Sequence, residues 1–288
     1  MEPSPSRHWI ARGHAIAVPE LPEVETIRRQ LEPRLIGRRV VDAWAFASDK
    51  FTAAEGTPGA AIESVGRRGK YLLLALDDDR ELVVHLGMTG SLRVTDRADD
   101  PGGPVVHLRA TFDLDDGSRL EFRDVRRFGR IAVVPAGDHS SLPTLASCGP
   151  EPLGDAFTAA ALHAALRRST RAVKTQLLSQ RPVAGVGNIY ADEALWLAGV
   201  HPVARRLSRP RSAALRDAIR EVIAEGIERG GTTLRDYVDA EGSAGTNQWH
   251  LRCYGRAGEP CERCATPLRR RVLDGRATTW CPACQRLR

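Results

Sequence analysis

Four cysteines near the C-terminus form the strongest metal-binding pattern in the sequence. They make two pairs, Cys261-x2-Cys264 and Cys281-x2-Cys284, with sixteen residues between the pairs. Four thiolates with this spacing can close a tetrahedral zinc site between two hairpin turns. Disulfides and free thiols are the alternatives. We expect no secretory leader in the first seventeen residues, and disulfides persist mainly in oxidising compartments. The pattern therefore predicts one structural zinc ion in a cytoplasmic protein, with Cys148 and Cys253 as ordinary buried cysteines.

The stretch between the cysteine pairs, RRRVLDGRATTW, predicts a two-stranded hairpin with Arg276 at its tip. A zinc-stabilised hairpin that holds an arginine outward suits a DNA phosphate. The alternative is a solvated arginine in a turn.

A second pattern combines small turn residues with the start of a helix. PVAGVGNIYADEALWLAGVHP, residues 182–202, places these residues before a helix that begins near Asn188. Glycines allow backbone amides to approach a phosphate, and a helix N-terminus carries partial positive charge. The pattern favours a backbone-phosphate site, although a helix-turn-helix packing corner has similar residues.

Lysine is rare in this chain, because only Lys50, Lys70 and Lys174 are lysines among 42 basic side chains. Lys70 opens a strand in GRRGKYLLL, where Tyr71 replaces the Ser or Thr of a P-loop, so nucleotide binding of that type is excluded. Lysine can be desolvated and take part in acid-base chemistry, which favours a site role for Lys70.

Three further side chains lie at turns beside predicted strands. As wedges they could replace an extruded base in the stack, although core packing is the alternative for the methionine and the phenylalanine. They are Met88, Arg126 and Phe128.

The overall charge favours a polyanionic partner. The 288-residue chain has a net charge of +6 and a pI near 9.3. The segment from residue 261 to the end contains seven arginines and only two acidic residues. Such a basic terminus suits nucleic acid, with a solvated charged face as the alternative. No run of about 18 apolar residues is present, so no membrane span is expected.

The elements that would position these residues follow from periodicity. Pro22 and Glu23 suit the first turn of a helix whose apolar face is Val24, Ile27, Leu31 and Leu35, and Gly37 can end it. Seven short runs up to about residue 135 predict the strands of an antiparallel sandwich or barrel, and helical periodicity follows from about residue 155. The runs are VVDAWAFA, KYLLLAL, ELVVHLG, SLRVT, LRATFDL, RLEF and RIAVV.

We therefore predict an α+β protein with five segments. Residues 1–18 form an extension that is disordered or a mis-assigned start, residues 19–135 a β-sandwich catalytic domain with an N-terminal helix, and residues 136–154 a linker. Residues 155–240 form a helical domain, and residues 241–288 hold a loop and the zinc-finger hairpin.

Taken together, the motifs resemble those of the formamidopyrimidine-DNA glycosylase and endonuclease VIII family. The resemblance runs from Pro19 to about Gln285 and follows seven motifs in order: PELPEVE, GKYLLL, HLGMTGS, RRFG, GVGNIYADEAL, CYGRAGEPC and GRATTWC. It implies a β-sandwich, a helix-two-turns-helix domain and a zinc finger. It also implies a monomer that binds double-stranded DNA containing oxidised bases or abasic sites.

The resemblance also implies roles for individual residues. Pro19 would be the amine nucleophile that forms an imine with the sugar C1′, Glu20 the general acid-base group, and Lys70 a proton donor that contacts the lesion and its phosphate. Strand cleavage would follow by β,δ-elimination, with Arg276 as proton donor and phosphate clamp. The remaining DNA contacts would be His107, Asn188, Met88, Arg126 and Phe128.

The sequence departs from the family pattern in one chemically important respect. An α-amine with a pKa near 8 can attack at neutral pH, whereas an internal proline nitrogen is an amide and cannot. Pro19 is internal in this chain. Val18 could be a GTG initiation codon decoded as Met, and removal of that Met would expose Pro19.

Two alternatives to the main interpretation stay open. PELPEVE favours the formamidopyrimidine branch and oxidised purines such as 8-oxoguanine. However, the loop between Asp239 and Trp249 reads GTNQ where many relatives have a GYF-type sequence. The endonuclease VIII branch, which acts on oxidised pyrimidines, is one alternative. A non-catalytic zinc-finger protein that binds damaged DNA is the other.

Overall fold

The structure is a computed structural model that describes residues 18–52, 54–96, 106–235 and 237–287. Apart from Val18, the predicted extension lies outside the described residues. The predicted α+β class is confirmed.

The first helix, α1 (Leu21–Leu35), has the predicted apolar face. Val24, Ile27, Leu31 and Leu35 are all at most 1% exposed. The Glu20 N–H donates to Glu23 Oε2 at 2.8 Å and satisfies a backbone group at the helix start. α1 contacts both strand β3 (Ile62–Arg68) and helix α6 (Arg209–Glu228), so it lies where the sandwich meets the helices.

Two sheets form the sandwich. The strands in chain order are β1 (Val40–Ala45), β2 (Phe51–Thr52), β3 (Ile62–Arg68), β4 (Tyr71–Leu76), β5 (Arg80–His85), β6 (Gly90–Asp96), β7 (Leu108–Leu114), β8 (Ser118–Asp124) and β9 (Arg130–Pro135). One sheet has the order β1-β7-β8-β6 and the other β2-β9-β5-β4-β3. Every pairing is antiparallel except the two-residue β2–β9 contact, which is parallel.

The sandwich core consists of alternate residues from the two inner faces. Leu72, Leu74, Phe112 and Phe122 are fully buried in it, together with the apolar face of α1. The seven short runs of the sequence correspond to seven of these strands, whereas β2 and β3 were not predicted.

The helices form a second core. They are α2 (Pro143–Ala146), α3 (Ala159–Arg167), α4 (Val173–Leu178), α5 (Asn188–Leu197) and α6 (Arg209–Glu228). Ser208 and Thr158 accept backbone hydrogen bonds at the starts of α6 and α3, as expected of N-cap residues. The short α2 lies inside the segment predicted as a linker. No helix in the described ranges is long and apolar enough to cross a membrane.

A hairpin of β10 (Arg269–Leu273) and β11 (Arg276–Trp280) ends the fold. Asp274 and Gly275 connect the strands with positive φ angles of 47° and 73°, as a type I′ turn requires. A small cluster that includes Trp196, Cys253 and Leu268 packs the hairpin against α5.

Candidate active site

Glu20 occupies the N-terminus of α5, although the two are far apart in sequence. Its carboxylate accepts hydrogen bonds from the backbone N–H groups of Gly187 at 2.7 Å, Ile189 at 2.9 Å and Tyr190 at 3.3 Å. The side chain is 2% exposed, and burial raises its pKa against the opposing effects of Lys70 and these amides. The glycine-rich loop therefore binds a carboxylate of the protein itself. Contrary to the prediction from the sequence, the amides of Gly187, Ile189 and Tyr190 are therefore not free for a DNA phosphate.

Lys70 and Glu20 both approach the backbone of Gly187. A Cβ atom added to Gly187 would lie 2.3 Å from Glu20 Cδ and 2.6 Å from Lys70 Nζ, so both groups pack against this glycine. Burial lowers the pKa of Lys70, and the charges of Glu20 and Glu23 oppose that shift. A carboxyl group with a raised pKa near an amine with a lowered pKa is suited to general acid-base chemistry.

This pair lies in the wall of a cavity of about 350 Å³ between the sandwich, α5 and the terminal hairpin. The volume is in the range of small-molecule sites. Six predicted site residues line it: Glu20, Lys70, Met88, Phe128, Asn188 and Arg276.

Three predicted site residues lie outside the cavity wall. Pro19 is buried behind Val18, which does line the cavity, and the Pro19 nitrogen is part of the peptide bond to Val18. Arg126 lies beside the cavity with its guanidinium 4.8 Å from the Phe128 ring centroid. His107 is exposed at the turn before β7 with a φ of 67°.

The cavity also contains polar residues that the sequence analysis did not assign. His85 packs on Tyr71 with ring centroids 4.7 Å apart, and burial lowers its pKa to about 4, so the imidazole is neutral at pH 7. Gln180 and Tyr254 complete the polar wall. His85 and Tyr254 lie within HLGMTGS and CYGRAGEPC, so motif membership was the signal for them.

Glu23 is a second buried carboxylate behind Glu20. Its Oε1 accepts from Thr232 N–H at 2.6 Å and from the Tyr190 hydroxyl at 2.9 Å. Burial and the neighbouring Glu20 raise its pKa to about 7. Glu23 thus joins α1, α5 and the segment after α6, a function beyond the helix-start role read from the sequence.

Arg276 reaches the cavity from the end of the β10–β11 hairpin, and its charge contributes to the lowered pKa of Lys70. Buried polar groups hold the hairpin. Lys174 Nζ lies 2.7 Å from Asp192 Oδ1 and donates to Ala277 O at 3.0 Å, while Asp192 Oδ2 accepts from Thr279 N–H at 2.9 Å. The hairpin that carries Arg276 is therefore fixed to α4 and α5.

The four predicted zinc ligands come together. Their sulfur atoms all lie within 4.8 Å of one another. Tetrahedral Zn–S bonds of about 2.3 Å place sulfurs about 3.8 Å apart, and the separations of Cys261–Cys284 and Cys264–Cys281 are 4.0 and 3.5 Å. Trp196 Nε1 donates to Cys261 Sγ at 3.3 Å, an outer contact typical of metal thiolates. The cluster fits one structural zinc ion, and Cys148 and Cys253 lie outside it. Cys253 is buried as predicted, whereas Cys148 is only partly buried, so the prediction of a buried residue is wrong there.

The fold and the cavity suit an enzyme that acts on a base in DNA. Such an enzyme must extrude its target nucleotide into a pocket, because the reacting atom is inaccessible inside a duplex. A cavity with cationic side chains, between a sandwich and helices that pack on a four-cysteine cluster, meets that need and suits the class of DNA glycosylases that extrude the target base.

Comparisons with known proteins place the chain within this class. The family model of the formamidopyrimidine-DNA glycosylase N-terminal domain matches residues 18–131, that of its H2TH domain residues 148–238, and that of the zinc finger found in FPG and IleRS residues 258–287. The chain belongs to the formamidopyrimidine-DNA glycosylase family.

Individual relatives agree over nearly the whole chain. The formamidopyrimidine-DNA glycosylase of Deinococcus radiodurans is 46% identical over 284 residues, which cover 94% of this chain and 98% of that protein. The crystal structure of the MutM (Fpg) protein of Thermus thermophilus has a TM-score of 0.86 at 43% identity and covers 94% of this chain and 100% of that one. A complex of Lactococcus lactis Fpg with abasic-site DNA has a TM-score of 0.83 at 36% identity, with coverages of 93% and 99%.

Proposed function

We propose that this protein is a bifunctional DNA glycosylase and AP lyase of base excision repair that removes oxidised purines, namely 8-oxoguanine and formamidopyrimidines. That it is a DNA glycosylase acting on damaged DNA bases follows from its family. The lyase activity, the oxidised-purine preference and the residue roles are the proposed part. One observation supports these roles most directly: Glu20 and Lys70 both approach Gly187 in the wall of a cavity that Asn188 and Arg276 also line.

The proposed nucleophile is the secondary amine of Pro19. Its lone pair forms a bond to the sugar C1′ while the bond from C1′ to the base breaks, and the base leaves with the bonding electrons and a proton. The amine then loses its proton, the bond from C1′ to the ring oxygen breaks as that oxygen takes up a proton, and the nitrogen lone pair forms the C=N bond of an iminium ion. β- and δ-elimination of the flanking phosphates follow from this intermediate. The reaction requires a chain that begins at Pro19, because an amide nitrogen has no available lone pair.

Glu20 and Lys70 are placed to move the protons. The raised pKa of Glu20 makes it a suitable proton donor and acceptor at the sugar, and the lowered pKa of Lys70 makes it a better acid than an exposed lysine. Arg276, which is exposed at the cavity, can bind a flanking phosphate and donate a proton for δ-elimination. Asn188 would contact the backbone on the other side.

Phe128 is suited to enter the base stack. It is 48% exposed, and its ring lies under the charges of Arg126 at 4.8 Å and Lys50 at 5.6 Å. These cations can follow the phosphates while the ring replaces the extruded base. Met88 lines the same cavity, and His107 would contact the backbone at the edge of the sandwich.

The loop between Asp239 and Trp249 bears on lesion choice. Asn247 and Gln248 are buried, and Asn247 Nδ2 donates to Thr232 Oγ1 at 2.9 Å. No described residue of this loop lines the cavity. Base selection would then depend on the cavity wall, and the endonuclease VIII preference for oxidised pyrimidines is the second candidate.

Domain division and location belong to the same proposal. We assign catalysis to residues 19–135, DNA binding to residues 155–240 and zinc binding to residues 241–288, with residues 136–154 between them. We place the protein in the cytoplasm, because four thiolates remain available to zinc in a reducing compartment.

Borohydride trapping tests the proposal. A chain that begins at Pro19 should form a covalent adduct with an 8-oxoguanine duplex, and the chain that retains Val18 and the residues before it should form none. Absence of an adduct in both, with DNA binding intact, would favour the non-catalytic binding protein. Faster reaction on a thymine-glycol duplex would favour the pyrimidine branch.

A further inference from the structure

Glu151 has no assigned role, yet three donors converge on its carboxylate. Oε1 accepts from the Gly69 N–H at 2.7 Å and from Arg68 Nη1 at 2.9 Å, and Oε2 accepts from Arg67 Nη1 at 2.6 Å. These donors belong to the three consecutive residues that precede Lys70. The carboxylate therefore holds the turn from which Lys70 projects.

The segment around Glu151 also binds the loop that holds Glu20. The Gly149 N–H donates to Gln180 O at 2.8 Å, and the Ala184 N–H donates to Pro150 O at 3.0 Å. No side chain fits at Gly149, because a Cβ there would lie 2.2 Å from the Arg181 carbonyl oxygen. The segment thus packs tightly on the loop whose last amide, at Gly187, binds Glu20.

The turn at residues 67–70 also contacts the loop at residues 180–187 directly. Gly69 has a φ of +57°, and a Cβ added there would lie 3.3 Å from Ala184 Cβ. Although burial raises the pKa of Glu151, Arg67 and its hydrogen bonds lower it overall, so the carboxylate is charged at neutral pH. A charged acceptor strengthens all three hydrogen bonds.

We propose that Glu151 is a positioning residue for Lys70. By joining the turn at residues 67–70 to the loop at residues 180–187, it determines where the Lys70 amine lies relative to the Glu20 carboxylate. The inference rests on the proposed function, since it assigns Glu151 to the same catalytic pair. Glu151 itself touches no reacting atom in this arrangement.

The first test observes Lys70 without any reaction. Because the chain has only three lysines, 13Cε-lysine labelling gives three assignable signals, and Lys50 and Lys174 serve as internal references. In Glu151→Gln, the Lys70 signal and its titration should move while the other two stay. This readout remains valid if the protein proves to have no lyase activity, so the two failures are distinguishable.

The second test measures single-turnover trapping in the zinc-loaded chain that begins at Pro19. Glu151→Gln should slow imine formation by about 10- to 100-fold, the loss typical of a reacting group displaced by up to about 1 Å. Affinity for a duplex with a reduced abasic site should stay unchanged. In a Lys70→Met background, Glu151→Gln should cause no further loss.

Glu225→Gln is the matched control. Glu225 binds two arginines, Arg252 at 2.8 Å and Arg229 at 3.2 Å, and its side chain is 26% exposed against 27% for Glu151. An unmoved Lys70 signal in Glu151→Gln, or an equal slowing in Glu225→Gln, would overturn the proposal. If Glu151→Gln does not fold, Glu151→Asp, which keeps the charge but shortens the reach, must show the same Lys70 shift.

Discussion

Gly187 is the residue whose replacement most directly tests the geometry of the proposed catalytic pair. A Cβ there would lie 2.3 Å from Glu20 Cδ and 2.6 Å from both Glu20 Oε1 and Lys70 Nζ, whereas ordinary contacts begin near 3.4 Å. To restore ordinary contacts, Gly187→Ala must displace Glu20 by about 1.1 Å and Lys70 by about 0.8 Å. The backbone itself adds no strain, because its φ of −115° suits any residue.

A displacement of about 1 Å at a reacting group costs roughly 100-fold in rate, or about 2.7 kcal/mol of transition-state stabilisation. We expect single-turnover cleavage of an abasic duplex by Gly187→Ala to slow by about this factor. The comparison uses chains that begin at Pro19 and reports the melting temperature alongside the rate.

Gly56→Ala serves as the control, since its added Cβ would meet nothing closer than Arg80 Nη1 at 3.5 Å. It should leave the rate unchanged. A Gly187→Ala rate within threefold of the parent chain would refute the conclusion that Glu20 and Lys70 depend on this glycine.

Three further predictions follow from the buried charges and the zinc site. Glu23 has a pKa of about 7 in the fold against 4.5 for an ordinary glutamate, so the unfolded chain loses this proton at a lower pH than the folded chain. The free energy of unfolding should therefore fall by up to about 3 kcal/mol as the pH rises from 4.5 to 7. Glu23→Gln should flatten that slope in pH-dependent melting curves, and an unaltered slope would contradict the assignment. Lys174→Met should destabilise the protein by about 3–5 kcal/mol in urea unfolding, because it leaves the Asp192 carboxylate buried without its cation, and a loss below about 1 kcal/mol would show that the pair is not needed. Chelation of zinc, or Cys264→Ser, should release the hairpin and weaken binding to abasic DNA. The zinc content, measured by absorption spectroscopy, and the DNA affinity, measured by fluorescence anisotropy, should fall together. Unchanged affinity in the metal-free protein would show that DNA binding does not need the hairpin.

Several parts of the fold were predictable because their signals are local. The face of α1 follows from apolar residues three and four apart, and the β10–β11 turn follows from Asp274-Gly275, which tolerate positive φ. Strand β3 was missed because its pattern does not alternate: IESVGRR contains a glycine and two arginines, and only Ile62 and Val65 are buried. Strand β2 has two residues, too few for any period to be visible.

The zinc ligands, the order of sandwich, helices and zinc-finger hairpin, and six of the fourteen described residues in the cavity wall could be predicted from the sequence alone. Covalent spacing and side-chain chemistry suffice for the zinc ligands, whereas the cavity residues also required the resemblance to the family's motifs. Three features became visible in the tertiary structure alone. Glu20 accepts hydrogen bonds from backbone amides of a loop 167 positions away, and Glu23 is buried beside it. The missing side chain of Gly187 leaves the space that Glu20 and Lys70 occupy. Such contacts depend on how α1, the β3–β4 turn and α5 pack together, and local periodicity carries no information about that packing.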